Sequence, residues 1–203
     1  RFNKNDKKYV MRFDMSSNFI NSLTNFLKKR TFEFIGLLLI SIGILLAISF
    51  VTYSPKDPSF IYGDKDVVIS NYFGIYGSSI SDFLLQSFGL ISFLLLITII
   101  AWGFKLIIKK KIENFLLKLF FVSLYLIFGC AFIYLTFNNS FWLIDNGNSG
   151  VLGKFVFSFI SNFLPEISQN YIGLILISLT LIFFLIATEI NLLNLLKKIL
   201  FLF

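Results

Sequence analysis

Four apolar runs, each about 20 residues long and free of charge, constrain this chain more than any other feature. They cover 34–53, 83–104, 119–137 and 167–188. At a rise of 1.5 Å per residue, about 20 helical residues match the roughly 30 Å hydrocarbon core of a bilayer. The first run alone holds thirteen Ile, Leu, Val or Phe residues. At roughly −0.3 to −0.6 kcal/mol each, its insertion gains on the order of 4–8 kcal/mol before the costs of ends and polar atoms. The expected fold class is all-α integral membrane, with four transmembrane helices.

The cations orient those helices. Arg1, Lys4, Lys7, Lys8, Arg12, Lys28, Lys29 and Arg30 precede the first run. Lys105, Lys109, Lys110, Lys111 and Lys118 lie between the second and third, and Lys197 and Lys198 follow the fourth. The other two loops hold only Lys56, Lys65 and Lys154, a split of 15 against 3. The positive-inside rule makes the basic side cytoplasmic, with Lys28, Lys29, Arg30, Lys109, Lys110, Lys111, Lys197 and Lys198 as topology anchors and both termini inside. Asp57, Asp64, Asp66, Asp82, Asp145 and Glu166 then face outward. The net charge of +7 is thus mostly topological and calls for no nucleic-acid patch, and membrane lipids are the expected partner of the lysines.

The segment 1–30 reads as a cytoplasmic leader. Its Phe19, Ile20, Leu23, Phe26 and Leu27 form one helical stripe, so a short interfacial helix capped by Ser16 or Ser17 is expected. The region 31–190 reads as the transmembrane domain, with spans at about 34–53, 80–107, 115–137 and 169–190. The segment 191–203 continues a helical stripe as the start of a cytoplasmic helix. Pro55 and Pro58 end the first span, and Asp57 before Pro58 and Ser59 favours a side-chain-capped turn. Gly74 and Gly77 are expected to bend tightly and launch one long second helix from about Ser78 to Ile108. On it Asp82 and Gln86, four residues apart, share a face. Asn146-Gly-Asn-Ser-Gly150 reads as a turn, and 151–164 as an amphipathic helix too short to span, lying against the outer leaflet. Gly36, Gly43, Gly89 and Gly129 could allow close helix contacts, although Gly36 and Gly43 lack the spacing of a dimer motif. The start at Arg1 and the end in Lys-Lys-Ile-Leu-Phe-Leu-Phe suggest a piece of a longer chain.

The search for chemistry returns few candidates. There is no histidine, and the single Cys130 lies inside the third run, so no catalytic, cofactor-binding or metal-binding residue is assigned. Gly147 and Gly153-Lys154 miss the spacing of a phosphate-binding loop and lack its Ser or Thr after the lysine. No ionisable group sits mid-span, where a transporter or pump usually buries one; Glu33 and Glu189 lie at inner ends within reach of water. Ser41, Ser92, Thr98, Ser123, Ser178 and Thr180 are expected to hydrogen-bond their own helices. A small transporter or channel subunit remains the alternative class, with a membrane enzyme acting on lipid behind it.

The outer loops carry more information. Tyr53-Ser-Pro-Lys-Asp57-Pro58-Ser59-Phe60, then Asn71-Tyr-Phe-Gly74-Ile-Tyr-Gly77, then Ser81-Asp82-Phe-Leu-Leu-Gln86 resemble the amino-terminal membrane domain of the FtsK/SpoIIIE DNA translocases. Asn148-Ser-Gly150-Val-Leu-Gly153 resembles that family's later glycine-rich element, with Ser149 in place of its first glycine. The resemblance marks Asp57, Pro58, Ser59, Phe60, Gly74, Gly77, Asp82, Gln86, Gly150 and Gly153 as the candidate outer-loop motif. It implies a membrane anchor and assembly domain at the division septum of a bacterial inner membrane. It further implies self-association as a hexamer, contacts with divisome proteins, and a downstream motor using ATP and Mg to move DNA for chromosome partition. No motor motif occurs in these residues, so this segment by itself is expected to be no enzyme and to meet DNA only through a region beyond Phe203.

Overall fold

The computed structural model describes residues 4–60, 68–140, 142–143, 145–163 and 169–190, with side chains described from residue 19 onward. Among them every regular element is helical. These are α1 (Lys4–Val51), α2 (Gly74–Phe88), a 3-10 turn (Gly89–Ile91), α3 (Ser92–Lys109), α4 (Phe115–Phe137), α5 (Gly150–Phe163) and α6 (Gln169–Thr188). Four stretches are long and apolar enough to cross a membrane: Phe19–Val51, Gly74–Lys109, Phe115–Phe137 and Gln169–Thr188. The side chains are distributed in the reverse of a water-soluble bundle. Phe34 is 67% exposed and Leu37, Ile44, Phe120 and Leu174 are exposed too, while Ser78, Ser81, Ser92 and Thr98 are fully buried. Lipid tails are as apolar as leucine, so helices in a bilayer associate through close packing and hydrogen bonds, and the small polar residues turn inward. The chain is an all-α membrane protein.

Antiparallel pairing builds the bundle. α1 packs along α3, and α4 packs along both α6 and α5. Backbones touch where α1 crosses α3: a Cβ on Gly36 would stand 2.7 Å from the Gly103 carbonyl oxygen, and one on Gly103 would stand 2.8 Å from that of Gly36. Further along the pair, the Phe50 and Phe93 rings meet edge-on at 5.4 Å. A second core gathers Ile91, Trp102, Tyr125, Leu126 and Cys130. There the Thr98 and Tyr125 hydroxyls share a hydrogen bond of 2.9 Å, and the Trp102 indole donates to the Ala187 carbonyl at 3.0 Å. The hydroxyls of Ser41, Thr98, Ser123, Ser178 and Thr180 donate to carbonyls of their own helices, as expected, but that of Ser92 reaches across the break to the Leu84 carbonyl of α2 at 2.8 Å.

Three expectations need correction. The leader is not a separate capped helix. α1 runs unbroken from Lys4 to Val51, because no Pro or Gly precedes Gly36 and the Lys28–Arg30 run consists of good helix formers. The second span is not one helix either. It breaks at Gly89, which adopts φ 56° and ψ −140° and passes through a short 3-10 turn before α3 begins. Non-helical backbone at membrane depth survives only inside protein, and here Gly89 and Ile91 are buried while the Leu90 N–H donates to the Asn148 carbonyl at 2.8 Å. Finally, Gly77 makes no bend. It lies within α2, whose first residue is Gly74 at φ 59°, and it is small because Asn71 and Ser49 crowd it. The segment 191–203, with Lys197 and Lys198, lies outside the described residues.

Candidate functional site

One end of the bundle gathers nearly the whole outer-loop motif. After α1, Pro55 stops the helix and the chain turns, with the Asp57 N–H bonded to the Ser54 carbonyl at 3.1 Å. The Asp57 carboxylate, 8% exposed, then accepts the backbone N–H groups of Ser70 at 2.9 Å and Asn71 at 2.8 Å. So the Asp-Pro turn does carry a side-chain cap, but its donors come from 13 and 14 residues downstream. Asn71 extends the clamp. Its amide donates to the Ser49 carbonyl at 2.9 Å and its Oδ1 accepts the Phe73 N–H at 3.1 Å, while the Ser49 hydroxyl donates to the Gly77 carbonyl at 2.8 Å. The Ser78 hydroxyl closes the ring on the Pro58 carbonyl at 2.6 Å.

Asp82 and Gln86 sit on one face of α2 and meet Tyr53. The Tyr53 hydroxyl donates to Asp82 Oδ1 at 2.9 Å and accepts from Gln86 Nε2 at 3.1 Å. Burial pushes the Tyr53 phenol above its ordinary range, so it stays protonated and remains a donor. Gln86 Oε1 accepts the Asn146 amide at 2.8 Å, and the Trp142 indole donates to the Tyr53 carbonyl at 3.3 Å. Between these elements opens a cleft of about 730 Å³ lined by Asp57, Ser59, Asp82, Gln86, Asp145 and Asn146. Phe60, 74% exposed, stands at the end of the described turn.

The later glycine-rich element crosses the break in the second span. Asn148 donates through its amide to the Phe137 carbonyl at 2.7 Å and the Asn139 carbonyl at 3.0 Å, which ties Asn148 back to the end of α4. A Cβ on Gly150 would lie 2.6 Å from the Ser87 carbonyl oxygen, and one on Gly153 2.9 Å from the Cys130 carbonyl carbon. Gly150 and Gly153 therefore let α5 start directly against α2 and α4. Ser149, standing where the resembled family has glycine, is fully buried and donates to Asn138 Oδ1 at 2.8 Å.

The opposite end is basic and laced by ion pairs. Glu33 bridges Arg30 at 2.6 Å and Lys110, which locks the start of the first apolar run to the end of α3. Glu189, which follows α6, receives Lys105 from α3 and Lys118 from α4, with Lys109 at 4.0 Å. Lys111 pairs with Glu113 at 2.6 Å within the turn between α3 and α4. Burial works to raise the Glu189 carboxyl, but the hydrogen bonds from Lys105 and Lys118 outweigh it and bring it down to about 2. From sequence, Glu33 and Glu189 are expected merely to reach water. The structure makes them the centres of two ion-pair clusters at one end of the bundle, and it thereby puts the near ends of the first and fourth spans on one side.

Of the sequence-marked residues, Asp57, Asp82, Gln86, Gly74, Gly77, Gly150 and Gly153 come together at the acidic end. Pro58 and Ser59 share the same turn. Sequence reasoning missed Tyr53, Ser49 and Asn146 as hubs of this network. Their partners lie 22 to 60 residues away, and only Tyr53, beside the Asp-Pro turn, offered a local signal. Among the described residues no three of His, Cys, Asp or Glu come close enough to share a metal ion.

Comparison with known proteins gives this geometry a context. Residues 28–200 match the family described as the 4TM region of DNA translocase FtsK/SpoIIIE. The chain is 29% identical over 150 residues to the DNA translocase FtsK of Rickettsia bellii (strain RML369-C), covering 74% of this chain and 19% of that protein. It is 31% identical over 150 residues to that of Rickettsia prowazekii (strain Madrid E), with the same 74% and 19% coverage. Against the DNA translocase FtsK of Azospirillum brasilense it is 33% identical over 90 residues, covering 44% of this chain and 14% of that protein. The chain thus spans a fifth or less of the length of the curated relatives it matches. No solved structure matches it. With four apolar helices and a match over most of its length, the chain belongs to the family of four-span membrane regions of FtsK/SpoIIIE DNA translocases.

Proposed function

We propose that this chain is the membrane-anchoring and assembly domain of a bacterial cell-division DNA translocase. It tethers a hexameric cytoplasmic ATPase motor to the inner membrane at the septum, where chromosome ends are cleared. The observation that carries the reading is the family match over 28–200, joined to spans whose near ends share one basic face. Holding subunits in the plane of a membrane raises their concentration near one another, which favours ring assembly without any new contact in the motor. ATP and Mg would serve that motor and not these residues. The acidic end, with its turn stiffened by Asp57 and Phe60 exposed beside the cleft, is the surface offered to divisome proteins. The hydroxyls that a transporter lumen would need are engaged with carbonyls of their own helices or with a neighbouring helix, so no observation favours that alternative.

The test replaces 57–59 by Gly-Ser-Gly in the full-length protein. Membrane retention is expected to stay unchanged while recruitment to the septum and chromosome clearance weaken. Unchanged recruitment and division in that variant would remove the loop from the function. A chimera that exchanges 31–190 for an unrelated four-span anchor provides a second arm. Full function of that chimera would reduce the domain to a passive tether.

A further inference from the structure

Three ammonium groups converge on a single carboxylate at the basic end: Lys105 and Lys118 contact Glu189 directly, and Lys109 stands 4.0 Å away. The nearby carboxylates are already engaged, Glu113 with Lys111 and Glu33 with Lys110 and Arg30. The junction of α3, α4 and α6 therefore holds two more positive charges than its own carboxylate neutralises. One of those charges, on Lys109, is open to water, but the other is not. The Lys105 side chain is 13% exposed and that of Lys118 only 7%, and both belong to stretches apolar enough to cross a membrane. An excess of charge in such a place is costly unless an outside anion meets it.

We propose that Lys105, Lys109 and Lys118 form a specific site for the phosphate of an anionic phospholipid at the junction of α3, α4 and α6. The flanks of the site select a lipid over a phosphate from water. Phe104 and Ile108 on α3, and Phe115, Leu116 and Leu119 on α4, are all exposed beside the lysines, and acyl chains would cover them. Lys109, with 61% of its side chain exposed, is the entry group through which a headgroup reaches the two buried ammoniums. Basic pockets between transmembrane helices on the cytoplasmic side recognise anionic headgroups by this same chemistry. General attraction of exposed lysines to a charged membrane needs no buried lysine, so the two effects are separable. Glu189 occupies part of the site and acts as an internal competitor, holding Lys105 and Lys118 in place when no lipid is bound.

The test uses the purified chain in uncharged detergent, with thermal unfolding followed by the reaction of a fluorogenic dye with the buried thiol of Cys130. Phosphatidylglycerol, phosphatidylcholine and inorganic phosphate are titrated separately. Phosphatidylglycerol alone is expected to raise the unfolding temperature saturably. Lys109→Gln should leave the lipid-free unfolding temperature unchanged and raise the half-saturating lipid concentration about fivefold. Glu189→Gln should lower that concentration, since the competitor is gone. Lys105→Gln with Lys118→Gln should abolish the effect, and the two single variants decide the matter if this one does not fold. Lys28→Gln with Lys29→Gln should titrate like the wild type. The proposal is overturned if the Lys28 and Lys29 pair matters as much as Lys109, if Glu189→Gln weakens the lipid effect, or if inorganic phosphate stabilises equally.

Discussion

Asp57 holds the first outer turn by accepting two backbone N–H groups, and removing it leaves that of buried Asn71 without its partner and frees that of exposed Ser70. Asp57→Ala is expected to lower stability by about 2–3 kcal/mol and Asp57→Asn by less, measured by unfolding in mixed detergent. Gly89 and Gly74 both have positive φ but differ in surroundings. A Cβ at Gly89 would overlap the Asn148 carbonyl, whereas one at Gly74 meets nothing within 4 Å. Gly74→Ala should therefore cost about 1–2 kcal/mol of backbone strain alone, and Gly89→Ala distinctly more. Glu189 adds a dependence on pH. Its folded value of about 2 lies below the ordinary 4.5, so its pairing stabilises the fold fully above about 4.5 and is lost as pH falls through 2. In thermal melts, the gap between wild type and Glu189→Gln should be flat from pH 7 to 5 and shrink below 4.5. Asp57 was legible because an Asp-Pro-Ser turn announces itself locally. Tyr53 was not, since its bonds to Asp82 and Gln86 exist only once α2 lies beside the end of α1.

At the scale of elements, helix pairing rests on small residues whose partners no single-helix pattern reveals. Gly36 stands out in the sequence as a small residue, but its counterpart Gly103 sits 67 positions later and meets it only because α1 and α3 run antiparallel in one particular register. Gly103→Val should overpack this crossing and destabilise the bundle by about 1–3 kcal/mol. Gly173→Ala, with 3.3 Å to the flexible end of Leu135, should be nearly neutral under the same measurement. The break between α2 and α3 follows a similar logic. A glycine in an apolar run is compatible with an intact helix, and what opens it here is the Asn148 carbonyl waiting to receive the Leu90 N–H. The turn at 146–150 and the short helix α5 were legible, because Asn and Gly cluster there and the apolar run that follows is too short to span.

For the whole molecule, sidedness is the property on which the functional reading depends. Two single-cysteine variants in a Cys130→Ala background test it: Phe60→Cys at the acidic end and Lys29→Cys at the basic end. An impermeant maleimide should label Phe60→Cys in intact cells and reach Lys29→Cys only after permeabilisation. Labelling in the reverse order would invert the topology and overturn the proposed tethering of a cytoplasmic motor. Sequence alone determined that the chain has four stretches able to cross a bilayer, with most of its cations gathered at one set of their ends, because length, hydropathy and lysine placement are sums over residues that need no neighbours. Only the tertiary structure decided where the second span breaks, which glycines touch, and how Tyr53, Asp82, Gln86 and Asn146 join into one network. Those outcomes depend on close contacts between segments far apart in sequence, and such contacts exist only after the helices have found their register.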